Sequence, residues 1–185
     1  EKAQQVFCII DKSRSMRMPF EGMTLLDHAI NSALVMTNIA LRKGDRTGLI
    51  TFGNKIGSKL QAERNPSQLK RILEILYKQK TQFLEANYEL LYYGVRNVIK
   101  GRSLVLLYSN FESMYSLQRA LPLLRKINQQ HLLVVIFFEN TELKEATKME
   151  AKNIKDIYFK TVAEKFTHEK QLIAQELRKH AIQTI

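Results

Sequence analysis

Apolar runs that stop abruptly on polar residues set the frame of this chain. Val6 to Ile10 is short, mostly β-branched or aromatic and free of charge, which predicts a buried strand ending on the carboxylate of Asp11. From Thr24 to Lys43 the apolar positions Leu26, Ile30, Ala33, Ala40 and Leu41 recur at helical spacing. Thr24 with Asp27 in the first turn predicts the N-cap, and Gly44 the stop. A second strand is expected over Thr47 to Phe52, a break at Gly53-Asn54, and an antiparallel edge strand over Lys55 to Gln61. Asn65-Pro66 reads as a cap with proline at the first helical position, followed by the stripe Leu69, Ile72, Leu73 and Leu76. Another helix is expected from about Phe83 to Ile99, closed by Lys100-Gly101.

Ser103 to Tyr108 then predicts a buried central strand, ending on Ser109-Asn110. Leu117, Leu121, Leu124 and Ile127 mark a helix that Pro122 should kink or split. His131 to Phe138 is the strongest strand signal, with Val134, Val135 and Ile136 at its centre. The last third reads as mostly helical up to Lys179, with a short final strand over Ala181 to Ile185. Strands alternating with helices predict an α/β fold: a doubly wound, mostly parallel central sheet with one antiparallel edge strand and helices on both faces. No repeat or linker divides residues 1–185, so one domain is expected. The chain lacks an initiating Met and begins almost directly in a strand, which leads us to expect a domain excised from a longer protein.

Composition narrows the class without changing this picture. Hydrophobic residues make up 45% and charged residues 25%, with 7 Gly and 3 Pro, which excludes a disordered or low-complexity chain. No apolar run approaches the roughly 20 residues of a membrane span, and no signal-peptide pattern is present, so a soluble fragment is expected. The single cysteine, Cys8, excludes an internal disulfide and reads as a buried core thiol. The formal charge of +11 favours an acidic partner: nucleic acid, anionic lipid or an acidic protein surface. The basic residues are scattered, and no aromatic-basic nucleic-acid signature appears.

Candidate chemistry collects at the ends of the predicted central strands. Asp11, Ser13 and Ser15 offer one carboxylate and two hydroxyls, a hard oxygen set suited to magnesium or manganese. In a parallel sheet the loops carrying Asp11 to Ser15, Thr81 and Ser109-Asn110 lie on one edge, where open α/β sheets place their ligands. Each residue also has a structural reading: Thr81 as a helix cap, Ser109-Asn110 as a polar strand end, Ser13 and Ser15 as turn residues.

Asp11-x-Ser13-x-Ser15, the Thr24 helix, Gly44-Asp45-Arg46-x-Gly48-Leu49-x-x-Phe52, Thr81 and Ser109-Asn110 together resemble a von Willebrand factor A domain. More narrowly, the spelling resembles the bacterial group labelled domain of unknown function 58. Members of that group typically carry a membrane-anchored segment and are often encoded beside MoxR-type AAA ATPases. The resemblance covers essentially the whole chain and implies a metal-ion-dependent adhesion site. Ser13, Ser15 and Thr81 would be direct ligands of Mg²⁺ or Mn²⁺, with Asp11 holding its waters and Asn110 at the position of a second acid. It also implies a bacterial parent, cytoplasmic or membrane-associated.

Two departures stand out. Asn110 removes one negative charge from the site, and Lys12 and Arg14 place cations in the ligand loop; Glu21 or Glu112 are the acids that could compensate. The leading expectation is a protein-protein interaction module. Lys12, Arg14 and Arg17 would attract an acidic partner, by resemblance a MoxR-type AAA ATPase in a chaperone-like assembly role. The alternatives are a basic nucleic-acid-binding domain and an Asp11-centred phosphotransferase. Against the latter, Ser13 stands where haloacid-dehalogenase chemistry wants a second acid. No phosphate-binding loop, dinucleotide fingerprint, nucleophile elbow or zinc-protease motif is present, and His28, His131, His168 and His180 are scattered. An enzyme is therefore not expected.

Overall fold

The computed structural model of the protein describes residues 3–138, 140–148, 150 and 153–185. Its elements run β1 (Gln5–Asp11), β2 (Pro19–Phe20), β3 (Met23–Thr24), α1 (Leu25–Arg42), β4 (Arg46–Phe52) and β5 (Ile56–Glu63). They continue α2 (Gln68–Tyr77), α3 (Tyr88–Val98), β6 (Leu104–Tyr108), α4 (Met114–Gln130), β7 (Leu132–Ile136), α5 (Thr141–Lys148), α6 (Ile154–Lys179) and β8 (Gln183–Thr184). A 3₁₀ turn, Arg14–Arg17, lies between β1 and β2.

Six strands form one sheet in the order β5-β4-β1-β6-β7-β8. All neighbours pair parallel except β4 and β5, so the antiparallel edge strand expected over Lys55 to Gln61 is present. The expected final strand is also present, reduced to Gln183–Thr184 and paired with β7.

The apolar run of β1 is buried on both faces because β1 is central, between β4 and β6. Its side chains still alternate. Phe7 and Ile9 join Ile50, Phe52, Val105 and Leu107 under α3, α4 and α6. Val6, Cys8 and Ile10 join Leu49, Leu106 and Tyr108 under α1 and α2. Each fully buried aliphatic or aromatic chain here contributes about 1.5–3 kcal/mol relative to exposure, which fixes the register of the central strands. Cys8 lies in this second layer, its Sγ near the Thr37 hydroxyl, and burial pushes its thiol up to about 12, so it is an inert core group. Gly48 is required where β4 crosses the Phe7 ring, because a Cβ there would lie 2.2 Å from Phe7 Cε1 and 2.9 Å from the Leu60 carbonyl oxygen.

The helix ends follow their caps. Thr24 and Asp27 form a reciprocal capping box on α1, and Gly44, at φ +84°, takes the left-handed conformation that ends it. Two helix starts and one proline differ from expectation. The helix expected from Phe83 begins at Tyr88, because Asn87 supplies the cap: its Oδ1 accepts from Leu90 N at 3.0 Å. The helix expected from Asn65-Pro66 begins at Gln68, because the Asn65 side chain is spent on a tight turn, accepting from Ser67 N at 3.0 Å. Pro122 does not split α4, which runs unbroken from Met114 to Gln130. Pro122 and Gln118 lie on its exposed side, where water can take the carbonyl that the proline ring leaves without a partner.

Among the described residues no helix is long and apolar enough to cross a membrane.

Candidate functional site

The carboxyl ends of β1 and β6 are adjacent, and their terminal residues meet. Asp11 is fully buried, and its two carboxylate oxygens have separate donors. Ser13 N donates to Oδ1 at 2.8 Å and Ser109 Oγ to Oδ2 at 2.7 Å. Tyr88 Oη lies 2.8 Å from the same Ser109 oxygen, extending the chain of hydrogen bonds to the start of α3. Burial raises the Asp11 pKa above the ordinary carboxylate value, and the donors from Ser13 and Ser109 oppose that shift. Tyr88 is held well above the usual phenol value by burial, with the nearby Asp11 charge adding to it.

Tied to Asp11, the loop turns so that Ser13 Oγ and Ser15 Oγ stand 3.1 Å apart. Asn110 closes the arrangement from β6 by donating its Nδ2 to the Ser15 carbonyl at 2.9 Å. The other end of the amide, Asn110 Oδ1, accepts from the ammonium of Lys170 on α6, which also donates to the Phe111 carbonyl. Desolvation lowers the Lys170 pKa to about 8, while Glu112 and Glu169 favour its charged form.

In front of these groups lies an open cleft of about 460 Å³, lined by Asp11, Ser13, Ser15, Asn110, Glu85 and Tyr88 among others. Four of the five residues expected to converge therefore do so. Thr81 is not among the residues lining the cleft. Backbone bonds from Gln82 N to Lys12 O (2.7 Å) and from Arg14 N to Leu84 O (2.9 Å) lay residues 81–86 alongside the ligand loop, bringing Glu85 and Ala86 to the cleft instead. Glu112 lines the cleft, whereas Glu21 accepts from Thr141 Oγ1 and does not.

The three cations of the loop have intramolecular contacts. Lys12 turns to Gln79 Oε1 at 3.2 Å. Arg14 bridges Glu112 at 3.2 Å and Glu85 at 3.5 Å, and Arg119 reaches Glu85 at 3.4 Å. Arg17 stacks on the ring of Phe83, 3.9 Å from its centroid. Phe83 and its neighbour Leu84 nevertheless remain 74% and 57% exposed. Residues that sequence reasoning passed over are thus Lys170, Tyr88, Glu85 and the Phe83-Leu84 pair. Lys170 is one lysine in a helix with several and carries no local signal, whereas Phe83-Leu84 falls at the start of the helix expected from about Phe83.

These donors fit an octahedral divalent ion only in part. Neighbouring ligands of magnesium at 2.0–2.1 Å stand about 2.9–3.0 Å apart, close to the Ser13–Ser15 hydroxyl spacing. Beyond that edge the match fails. Thr81 is outside the cleft lining, the Asn110 oxygen is taken by an ammonium, and Glu85 and Glu112 are engaged by arginines. The site as built does not fit the ion.

No family model matches the chain, and no curated protein matches it. Solved structures do. A mutant of the PilB minor pilin from Streptococcus sanguinis aligns at TM-score 0.59 and 12% identity, over 96% of this chain and 62% of the pilin. The SpRpn10 VWA domain aligns at TM-score 0.55 and 11% identity, over 76% of this chain and 79% of that one. The conserved hypothetical protein BatB from Bacteroides thetaiotaomicron aligns at TM-score 0.51 and 14% identity, over 72% of this chain and 66% of BatB. The chain thus spans just under two thirds of BatB and of the pilin. At these identities the likeness is one of fold: this chain has a von Willebrand factor A-like α/β fold.

Proposed function

We propose that the protein is a protein-protein interaction module whose contact face is the carboxyl edge of the sheet around Asp11, Phe83 and Asn110. One observation carries this reading. Phe83 and Leu84 stand exposed on a loop pinned by two backbone hydrogen bonds, directly beside a cleft rimmed by paired charges. Exposed aromatic and aliphatic anchors on a fixed loop, next to arginines, match the composition of binding hot spots. The buried carboxylate between them, with both oxygens already accepting hydrogen bonds, is a structural anchor rather than a nucleophile or base, so we propose no catalysis.

The charged rim suits an acidic partner through exchange. Arg14, Arg119, Glu85 and Glu112 are all about half exposed, and exposed ion pairs are worth about 0–1 kcal/mol. A partner carboxylate can replace Glu85 or Glu112 on Arg14 at little cost, and the positive excess of the whole chain speeds its approach. By the sequence resemblance to the domain of unknown function 58 group, we take that partner to be a MoxR-type AAA ATPase, with the pair acting in assembly. The contact as proposed requires no divalent ion.

Binding of immobilised MoxR-type ATPase to the wild-type domain, Phe83→Ala, Arg14→Gln and the remote Lys59→Glu tests this. Weakened binding of about tenfold or more for the first two, with Lys59→Glu unchanged, is expected. Equal affinity of all four proteins would overturn the assignment of the face.

A further inference from the structure

We propose that Lys170, delivered from α6, is the resident cation of this site, so that the domain takes no divalent metal there. The inference rests on the contact face proposed above only for its consequence, that partner binding is insensitive to chelators. Its evidence lies in the Asn110 amide. The Ser15 carbonyl can only accept and the Lys170 ammonium can only donate, so these two partners leave one orientation of that amide. Nδ2 faces Ser15 and Oδ1 faces Lys170.

An aspartate at 110 could not donate to Ser15 O, and a second carboxylate oxygen would face that carbonyl instead. Asn110 and Lys170 are therefore matched to each other. The asparagine that looks like a weakened metal ligand in the sequence is the group that joins the ligand loop to the ammonium.

The ammonium is also provided for. It donates to Asn110 Oδ1 and to the Phe111 carbonyl, lies 5.2 Å from the centroid of the Phe166 ring, and feels Glu112 and Glu169. Glu169 in turn accepts from Met114 N at 3.1 Å, so two successive residues of α6 grip the chain from the end of β6 to the first residue of α4. A desolvated ammonium is costly unless paired, and this one has acceptors and carboxylates around it. A divalent ion placed against the Ser13–Ser15 edge would meet one buried carboxylate and a fixed positive charge already bound to the neighbouring side chain. Charge repulsion in a partly desolvated site then works against it.

Titration calorimetry of MgCl₂ and of MnCl₂ into the wild-type domain, Lys170→Met, and Lys170→Met combined with Asn110→Asp tests this. The wild type is expected to give no saturable binding at millimolar metal. The double variant, which removes one positive charge and adds one negative, is expected to give saturable binding, at least roughly tenfold tighter than the millimolar limit set by the wild type. Saturable binding by the wild type that Asp11→Ala abolishes would overturn the proposal without any Lys170 variant. A folded double variant that binds no metal would overturn it too, with the circular-dichroism spectrum as the check on folding. Neither result bears on whether Phe83 and Arg14 contact a partner, so the two readings fail separately.

Discussion

The Ser109 hydroxyl, at the end of β6, donates to Oδ2 of Asp11, at the end of β1, at 2.7 Å. This bond joins the two central strands through side chains where their backbone ladder ends, and it places the ligand loop. Ser109→Ala leaves a fully buried carboxylate oxygen without that donor, a loss worth about 1–3 kcal/mol. Tyr88→Phe removes only the next link and should cost less, about 0.5–1.5 kcal/mol. Urea unfolding of the two variants beside the wild type gives the order; Tyr88→Phe costing more than Ser109→Ala would contradict it.

Gly48 makes a second, independent prediction about the core. A methyl group there collides with the Phe7 ring and the Leu60 carbonyl, so Gly48→Ala should destabilise by about 1–3 kcal/mol. In a chain of this size that lowers the melting temperature by roughly 2–4 °C per kcal/mol. Adding Phe7→Leu should recover part of the loss, since the ring can be trimmed and the Leu60 backbone cannot. A Gly48→Ala protein as stable as the wild type would show that β4 does not run as closely over Phe7 as described.

His131 predicts acid sensitivity unconnected with the cleft. It is buried at the end of α4, and its ring nitrogens form no well-aligned hydrogen bond among the described residues, although the Gly101 backbone lies close enough to oppose part of the effect of burial. Burial pulls its pKa below the ordinary value of 6.5. Below that value the unfolded chain gains a proton at this ring that the folded chain resists, so stability falls as pH falls. Above it both states are neutral and the effect is absent. Urea midpoints measured from about pH 7.5 to 5.5 should drop less steeply for His131→Leu than for the wild type. Parallel slopes would exclude His131 as the cause.

Much of the fold was legible because its signals are local and redundant. Val6 to Ile10 reads as a doubly buried strand from composition alone, and the Thr24–Asp27 box and Gly44 mark both ends of α1. The Gly53-Asn54 break correctly announced the antiparallel edge. Boundaries failed where two polar residues competed to cap one helix, as Asn87 did with Thr81. The candidate site was legible as far as strand ends could carry it, to Asp11, Ser13, Ser15 and Asn110. Thr81 does not line the cleft because loop threading, set by the Gln82–Lys12 backbone bond, decides which of residues 81–87 reaches it. Lys170 had no signal, since its role comes from the docking of a helix 60 residues further along the chain.

The most direct test of the contact face is hydrogen-deuterium exchange of the domain, alone and with a MoxR-type ATPase bound. New protection is predicted in residues 13–17, 81–87 and 110–116, the three segments that meet at the carboxyl edge. Protection confined to β5 and α2, with those three segments unchanged, would contradict it.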